Sequence, residues 1–409
     1  MTATTDRPQA ELPDLSDPRT FADRVPLEAF ARLREHPGLY WQPASFGTLT
    51  GGFWAVTRWA DIVEVEKDPS TFTSTRGAAY PMFDLPSDHP SRDGLMLNDP
   101  PRHSRLRRAA AKGFGPRIVR NFEPWVRDVV TEQLDRIERM DRFDYVVEIA
   151  QTIPAQVIAR VLGTPAEDQD RIVDLVIELF RVMGDPANAS KFEALVLQLQ
   201  QYAATIQQAK AQCPADDMFT ALGACVVRGE LSQSEFVNWM QIMMGAGFET
   251  THTTIGQSMR MYLENEHVAA STASALAEGL GDSVAREYIR LVSPVMEMAR
   301  TAQCDTSLAG QRIRENDALV LYYSAANRDP EVFADPDRFD PWRRETEVLA
   351  FGSGVHRCIG EHLAKLEIRI LWEEIHRRGI RLRLDGEPKR GWSVFINQLT
   401  SLPVVRVTG

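Results

Sequence analysis

Cysteine is scarce in this chain of 409 residues. The four present, at 213, 225, 304 and 358, lie far apart and none belongs to a CxxC pair. That spacing argues against a structural zinc site and a disulfide framework, and it fits a reducing cytoplasm. Long apolar runs are missing as well: no stretch approaches the roughly 20 residues that cross a bilayer, so no membrane span is expected. The first residues lack a basic segment followed by an apolar one, which excludes a secretory signal. Positive charge is not in excess either. A formal net charge of −11 disfavours nucleic acid as a partner. No repeat, low-complexity tract or linker interrupts residues 30–409. Length alone allows two or three domains. The uninterrupted pattern instead suggests a polar, proline-bearing leader over 1–26, lying loosely on the surface, and a single domain over 27–409.

What is present is mostly helical periodicity. Apolar residues recur at three- and four-residue spacing over 122–140, 145–162, 166–183 and 190–212, and from about 102 to 265 the pattern is helical almost throughout. Residues near 50–75 read as two short strands, one containing Phe53–Val56, and then a short helix. Strand-like pieces return at 311–323 and 393–406. The stretch 76–98, with Pro81, Pro86, Pro90 and Gly94, reads as a long loop, and loops of that length inside a compact domain usually serve function. The fold class is therefore mainly α with a small β subdomain.

The longest helix runs over about 232–264 and opens on a capping box, Ser232 with Glu235. Within it lies Met244-Gly245-Ala246-Gly247-Phe248-Glu249-Thr250-Thr251. Glycine and threonine lower helix propensity, and a threonine hydroxyl can bond back to a carbonyl one turn earlier, opening the ladder. Such a segment either packs closely against another helix or leaves room for a ligand.

Cys358 stands in Phe351-Gly352-Ser353-Gly354-Val355-His356-Arg357-Cys358-Ile359-Gly360, just before a helical pattern of Leu363, Leu366 and Ile370. Glycines at 352, 354 and 360 let the backbone bend tightly and a flat group approach. The helix N-terminus is expected to favour a thiolate. By residue type alone, a lone cysteine is more often an inert buried side chain. A dinucleotide loop is excluded because Arg357 stands where its third glycine belongs.

Phe351, Gly354, Cys358 and Gly360 match FxxGxxxCxG, and the segment resembles the haem-binding loop of cytochrome P-450 monooxygenases. Ala246 to Thr250 resembles the same family's oxygen-activation motif, A/G-G-x-D/E-T, with Glu249 in place of the aspartate common in bacterial members. Glu287 and Arg290 match its ExxR pair, which in the family meets a third residue from a segment here reading Pro336-Asp337-Arg338-Phe339. Asn316 stands where the family commonly has a glycine in a strand turn.

The resemblance implies a triangular prism of helices around a buried haem b, with Cys358 as the axial iron ligand. His103, Arg107, Arg300 and His356 are implied to hold its carboxylates. It implies Thr250 as the residue that positions a water and Glu249 as a proton relay from solvent, for insertion of one atom of O2 into a hydrophobic small molecule. Substrate contacts are expected from the loop (Tyr80, Phe83, Leu85, Leu95, Met96), the long helix (Ile242, Gly245, Ala246), the stretch Val295, Met296 and Met298, and the tip Phe395-Ile396. For each apolar residue, ordinary core is the default explanation. No cation offers a carboxylate anchor, so a terpenoid, steroid, fatty acyl or natural-product scaffold is favoured. Residues 102–120 carry Arg102, Arg105, Arg107, Arg108, Lys112, Arg117 and Arg120. This face is either a solvated helix surface or a docking patch for an acidic partner. The resemblance implies an iron–sulfur ferredoxin and its NAD(P)H-dependent reductase, since the chain shows no flavin domain. A peroxide-driven peroxygenase, an oxidative coupling enzyme and a non-enzymatic haem-thiolate sensor are the alternatives.

Overall fold

The computed structural model describes residues 12–82, 85–111, 113–182, 188–214 and 217–407. Its centre is the helix Gln233–Glu264. Ser232 Oγ accepts from the Glu235 N–H at 3.1 Å and Glu235 Oε2 accepts from the Ser232 N–H at 2.9 Å, so the capping box forms. The helix ends where Asn265 turns to cap its successor, Glu266–Ala277, by accepting from His267 and Val268 N–H. Midway, it crosses Thr152–Leu162 closely. A Cβ on Gly247 would lie 3.0 Å from Ile158 Cδ1, so glycine there serves helix packing.

The cysteine helix, Glu361–Arg378, buries Leu363, Leu366, Ile370, Leu371, Trp372 and Ile375 and stops at Gly379, whose φ of +62° is the left-handed C-cap that glycine adopts at little cost. It packs on Gly281–Val292 and Glu123–Ile137. These helices share one large apolar core.

A five-stranded sheet runs in the order Tyr40–Pro43, Gly52–Val56, Ala318–Leu321, Met298–Ala302, Phe72–Thr73. Only Gly52–Val56 with Ala318–Leu321 is parallel. Four readings change here. The hairpin partner of Gly52–Val56 lies upstream at Tyr40–Pro43, and the helix Trp59–Lys67 precedes the two-residue strand Phe72–Thr73. The helical run is broken by a strand at Arg142–Asp144, which pairs with Pro403–Arg406 near the end of the chain. That pairing leaves 145–162 as a π-turn, Val146–Ala150, and a separate helix, Thr152–Leu162. The piece 311–323 splits into strands Gln311–Ile313 and Ala318–Leu321 and a short helix from Tyr323, with Asn316 at φ +70° in the turn.

Residues 12–26 do not lie loose. Leu15 and Phe21 are fully buried with Phe30, Phe53 and Tyr322, and the Leu15 N–H donates to Gln42 Oε1 at 3.0 Å. The loop 76–98 contains two 3-10 turns, Pro90–Asp93 and Leu95–Leu97, tied by the Asn98 amide donating to the Arg92 and Gly94 carbonyls.

The ExxR pair is buried rather than superficial. Arg290 is 1 % exposed, and all five of its N–H donors are placed. Two go to Glu287 (2.8 and 2.7 Å) and the others to the Asn327, Pro336 and Arg338 carbonyls (2.6, 2.7 and 3.2 Å). The third charged side chain is Arg343, whose Nε meets Glu287 Oε1 at 3.1 Å. Arg338 contributes its carbonyl, while its own guanidinium turns to His267.

Candidate active site

The loop from Phe351 to Gly360 lies over the end of the helix Trp59–Lys67. A Cβ on Gly354 (φ +61°) would sit 2.1 Å from the Glu66 carbonyl oxygen, so only glycine lets the loop cross there. Gly360 differs: its φ is −86° and a Cβ would meet Cys358 Sγ at an ordinary 3.9 Å, so the backbone does not demand glycine. The loop is closed by the Cys358 N–H on the Phe351 carbonyl (2.8 Å). It is held from behind by Glu66, whose buried carboxylate accepts from the Ser353 N–H at 2.7 Å and from the Tyr323 hydroxyl, with Arg300 at 3.8 Å.

Cys358 is accessible to solvent, which leaves room against it for a bound group. Burial pushes the thiol up, and the Gly360 and Glu361 N–H groups and Arg107 pull it down without winning. The helix N-terminus therefore does not by itself produce a thiolate. A bound metal would, because a coordinating thiol is deprotonated outright.

Four basic side chains gather beside it. His103 and His356 have ring centroids 4.2 Å apart. Burial, reinforced by Arg107, holds His103 down to about 4. Burial, then Arg300, His103 and Arg107, holds His356 down to about 2. Burial also lowers Arg107. His356 Nε2 lies 3.3 Å from Ser74 Oγ, whereas both ring nitrogens of the buried His103 lack a partner among the described residues. An unsatisfied imidazole beside the guanidinium groups of Arg107 and Arg300 calls for an anion. A flat group carrying two carboxylates and an iron that takes thiolate fits this donor set, so the residues present suit haem b.

On the long helix, Thr250 Oγ1 donates to the Ala246 carbonyl at 2.8 Å while the helix continues unbroken. Ala246 is exposed between buried Met244 and Phe248, which marks an open space along that face. Glu249 points into the protein. Its Oε1 accepts from Gln398 Nε2 at 3.0 Å, and its Oε2 lies 3.6 Å from His252 Nδ1.

The expected substrate contacts divide. Tyr80 and Met296 are packed in the core with Phe53 and Tyr322, and Leu95 belongs to the helical core. Met298 is buried among the residues behind the sheet. Leu85, Met96, Ile242, Gly245, Val295 and Phe395 are half-buried, and Ile396 forms an isolated bridge with Val295. Phe83 lies outside the described residues. Glu66, His252 and Gln398 escaped the sequence reading. Helical spacing from Glu249 could have raised His252, but Glu66 and Gln398 reach the site from distant sequence and carry no local signal.

A fold of this kind with a solitary cysteine over a cationic cradle defines a haem-thiolate enzyme. A sequence model of the family described as Cytochrome P450 matches residues 279–378. A steroid C26-monooxygenase of Rhodococcus jostii is 30 % identical, with 96 % of this chain and 84 % of the relative covered. Linalool 8-monooxygenase of Pseudomonas putida is 30 % identical, covering 97 % and 99 %. A Mycobacterium marinum cytochrome P450 solved with pseudoionone superposes with a TM-score of 0.87 at 28 % identity, covering 98 % and 100 %. The chain belongs to the cytochrome P450 family. It is a monooxygenase that uses haem b. Among the described residues, no helix is long and apolar enough to cross a membrane.

Proposed function

We propose that this enzyme hydroxylates an apolar scaffold of the terpenoid or steroid kind, using electrons from an iron–sulfur ferredoxin. The observation that carries the reading is the acid–alcohol pair of the long helix, with Thr250 anchored on the Ala246 carbonyl beside an open face and Glu249 buried behind it. When bound, haem b supplies the iron at which dioxygen is reduced and cleaved. Cys358 would hold that iron, and His103, Arg107, Arg300 and His356 would take the carboxylates of the haem. The Thr250 hydroxyl holds a water, and Glu249 passes it protons from the protein side. Half-buried Leu85, Met96, Ile242, Val295 and Phe395, with exposed Ala246, would exclude bulk water and orient the substrate by shape. The named steroid and linalool relatives support that substrate class.

The docking face is smaller than the sequence suggests. Arg102 and Arg105 are paired with Glu235, Arg102 also with Asp93, and Arg107 turns toward Cys358. Lys112 lies outside the described residues. Arg108, Arg117 and Arg120 are exposed, and among the described residues no ion pair involves them. These three would steer an acidic ferredoxin.

The test is Thr250→Ala with ferredoxin, reductase and a bound apolar substrate. The variant should consume reductant but release most of it as hydrogen peroxide. Coupling at the wild-type level would refute the assigned role. Wild-type turnover with peroxide alone, equal to that with ferredoxin, would favour a peroxygenase instead.

A further inference from the structure

Among the described residues, three buried polar atoms around one carboxylate have no hydrogen-bond partner: Glu249 Oε2 and both ring nitrogens of His252. The two side chains are 5 % and 2 % exposed, with Oε2 and Nδ1 3.6 Å apart. A buried polar group left unpaired costs about 1–3 kcal/mol, so three together mark a site that does something other than stabilise the fold. The surroundings fix both partners. Gln398 holds the other carboxylate oxygen at 3.0 Å, and the His252 ring stacks on Phe248, with centroids 5.5 Å apart and planes at 27°. His252 sits one helical turn beyond Glu249, so the same face presents acid and imidazole together.

We propose that His252 is the relay partner that recharges and positions Glu249. This rests on the reading of Glu249 as the proton-delivering acid. As a cation, His252 passes the proton on Nδ1 to Oε2 of the Glu249 carboxylate. The imidazole is left neutral and the acid is charged with one proton, which it hands on toward Thr250. The imidazole then takes another proton ultimately from solvent. Two such transfers match the two protons consumed when one oxygen atom leaves as water. Gln398 has no proton to give in this scheme. It keeps Oε1 occupied, so that Oε2 is the oxygen that turns between His252 and the interior.

The test uses the haem-loaded enzyme with ferredoxin, reductase and a bound apolar substrate. His252→Phe keeps a flat ring against Phe248, and His252→Asn places an amide near Nδ1. Expected for His252→Phe is unchanged substrate affinity, about tenfold more reductant lost as peroxide, and a raised solvent hydrogen isotope effect. That loss is set an order below the effect of a directly transferring group. His252→Asn should recover part of the coupling. In protein carrying isotope-labelled histidine, Glu249→Gln should shift the His252 ring nitrogen resonance, a readout independent of turnover. Wild-type coupling and isotope effect in His252→Phe, or a His252 resonance indifferent to Glu249→Gln, would overturn the inference. If Glu249→Gln itself stays fully coupled, the acid–alcohol reading fails, and the relay with it. Loss of coupling in Glu249→Gln but not in His252→Phe sinks the relay alone.

Discussion

Arg290→Lys isolates what the buried ExxR network contributes, because it keeps the charge and removes only the donor geometry. The guanidinium fills five acceptor positions: two oxygens of Glu287 and the carbonyls of Asn327, Pro336 and Arg338. An ammonium has three donors, so at least two of those acceptors lose their partner. Each buried acceptor left unpaired costs about 1–3 kcal/mol, so losing one or two of those that Arg290 alone serves puts the cost at about 1–6 kcal/mol. Native stability is only about 5–15 kcal/mol, so the variant should unfold at much lower urea concentration or fail to accumulate. Glu287 Oε1 keeps Arg343 (3.1 Å) and the Asp340 N–H (2.9 Å), and the Arg338 carbonyl keeps Arg343 (3.0 Å), so the loss falls on Glu287 Oε2 and the Asn327 and Pro336 carbonyls. Equilibrium urea unfolding followed by circular dichroism reads the difference directly. A midpoint within about 0.5 kcal/mol of wild type, the ordinary range of surface changes, would show that the bonds are dispensable.

The glycines of the cysteine loop make a contrasting pair. Gly354→Ala, with its Cβ 2.1 Å from the Glu66 carbonyl at φ +61°, should cost about 2–5 kcal/mol and sharply lower the haem-to-protein absorbance ratio. Gly360→Ala should leave that ratio near wild type. On the acid side, Glu235 and Glu361 stand at about 2. Burial raises each, but Arg105, the Ser232 N–H and Arg102 outweigh it at Glu235, and Arg357 and Lys365 outweigh it at Glu361. Both folded values lie below the ordinary carboxylate range. Their stabilisation is therefore present above about 4.5 and lost as pH falls from there through about 2. Glu235→Gln should flatten part of that acid limb in an unfolding series against pH. Arg117→Glu with Arg120→Glu should slow reduction by ferredoxin roughly tenfold at low salt and weaken its salt dependence. An unchanged rate would place the docking face elsewhere.

Much of the site was legible because it is local. The cysteine loop, the acid–alcohol pair and the capping box each fit within a dozen residues, and helical spacing carries the orientation. Long-range partners left no such trace. Phe53–Val56 reads as a strand from its own apolar run, but its partner Tyr40–Pro43 includes proline and glutamine and shows no alternation. The strand Arg142–Asp144 falls in the gap between the helical segments 122–140 and 145–162, and only its distant partner Pro403–Arg406 makes it a strand, so no local signal marks it. Taken alone the ExxR pair looks like a surface pair, since i, i+3 spacing carries no information about burial; its place in a core network was legible only through the family resemblance. Arg343 replaced Arg338 as the charged third member because loop geometry, not motif position, decides which side chain reaches Glu287. Apolar residues were the least readable. Core Tyr80 and Met296 differ little in type from half-buried Phe395 and Met96, and only the packing separates them.

The measurement that bears most directly on the account is the optical spectrum of the purified ferric protein, titrated with terpenoids, steroids, fatty acids and aromatic acids. The account predicts a low-spin haem-thiolate spectrum that turns high-spin with an apolar scaffold, and loss of the thiolate signature in Cys358→Ser. A thiolate spectrum moved only by charged acids would contradict the substrate class. A haem spectrum unchanged in Cys358→Ser would contradict the central claim that this sulfur holds the iron.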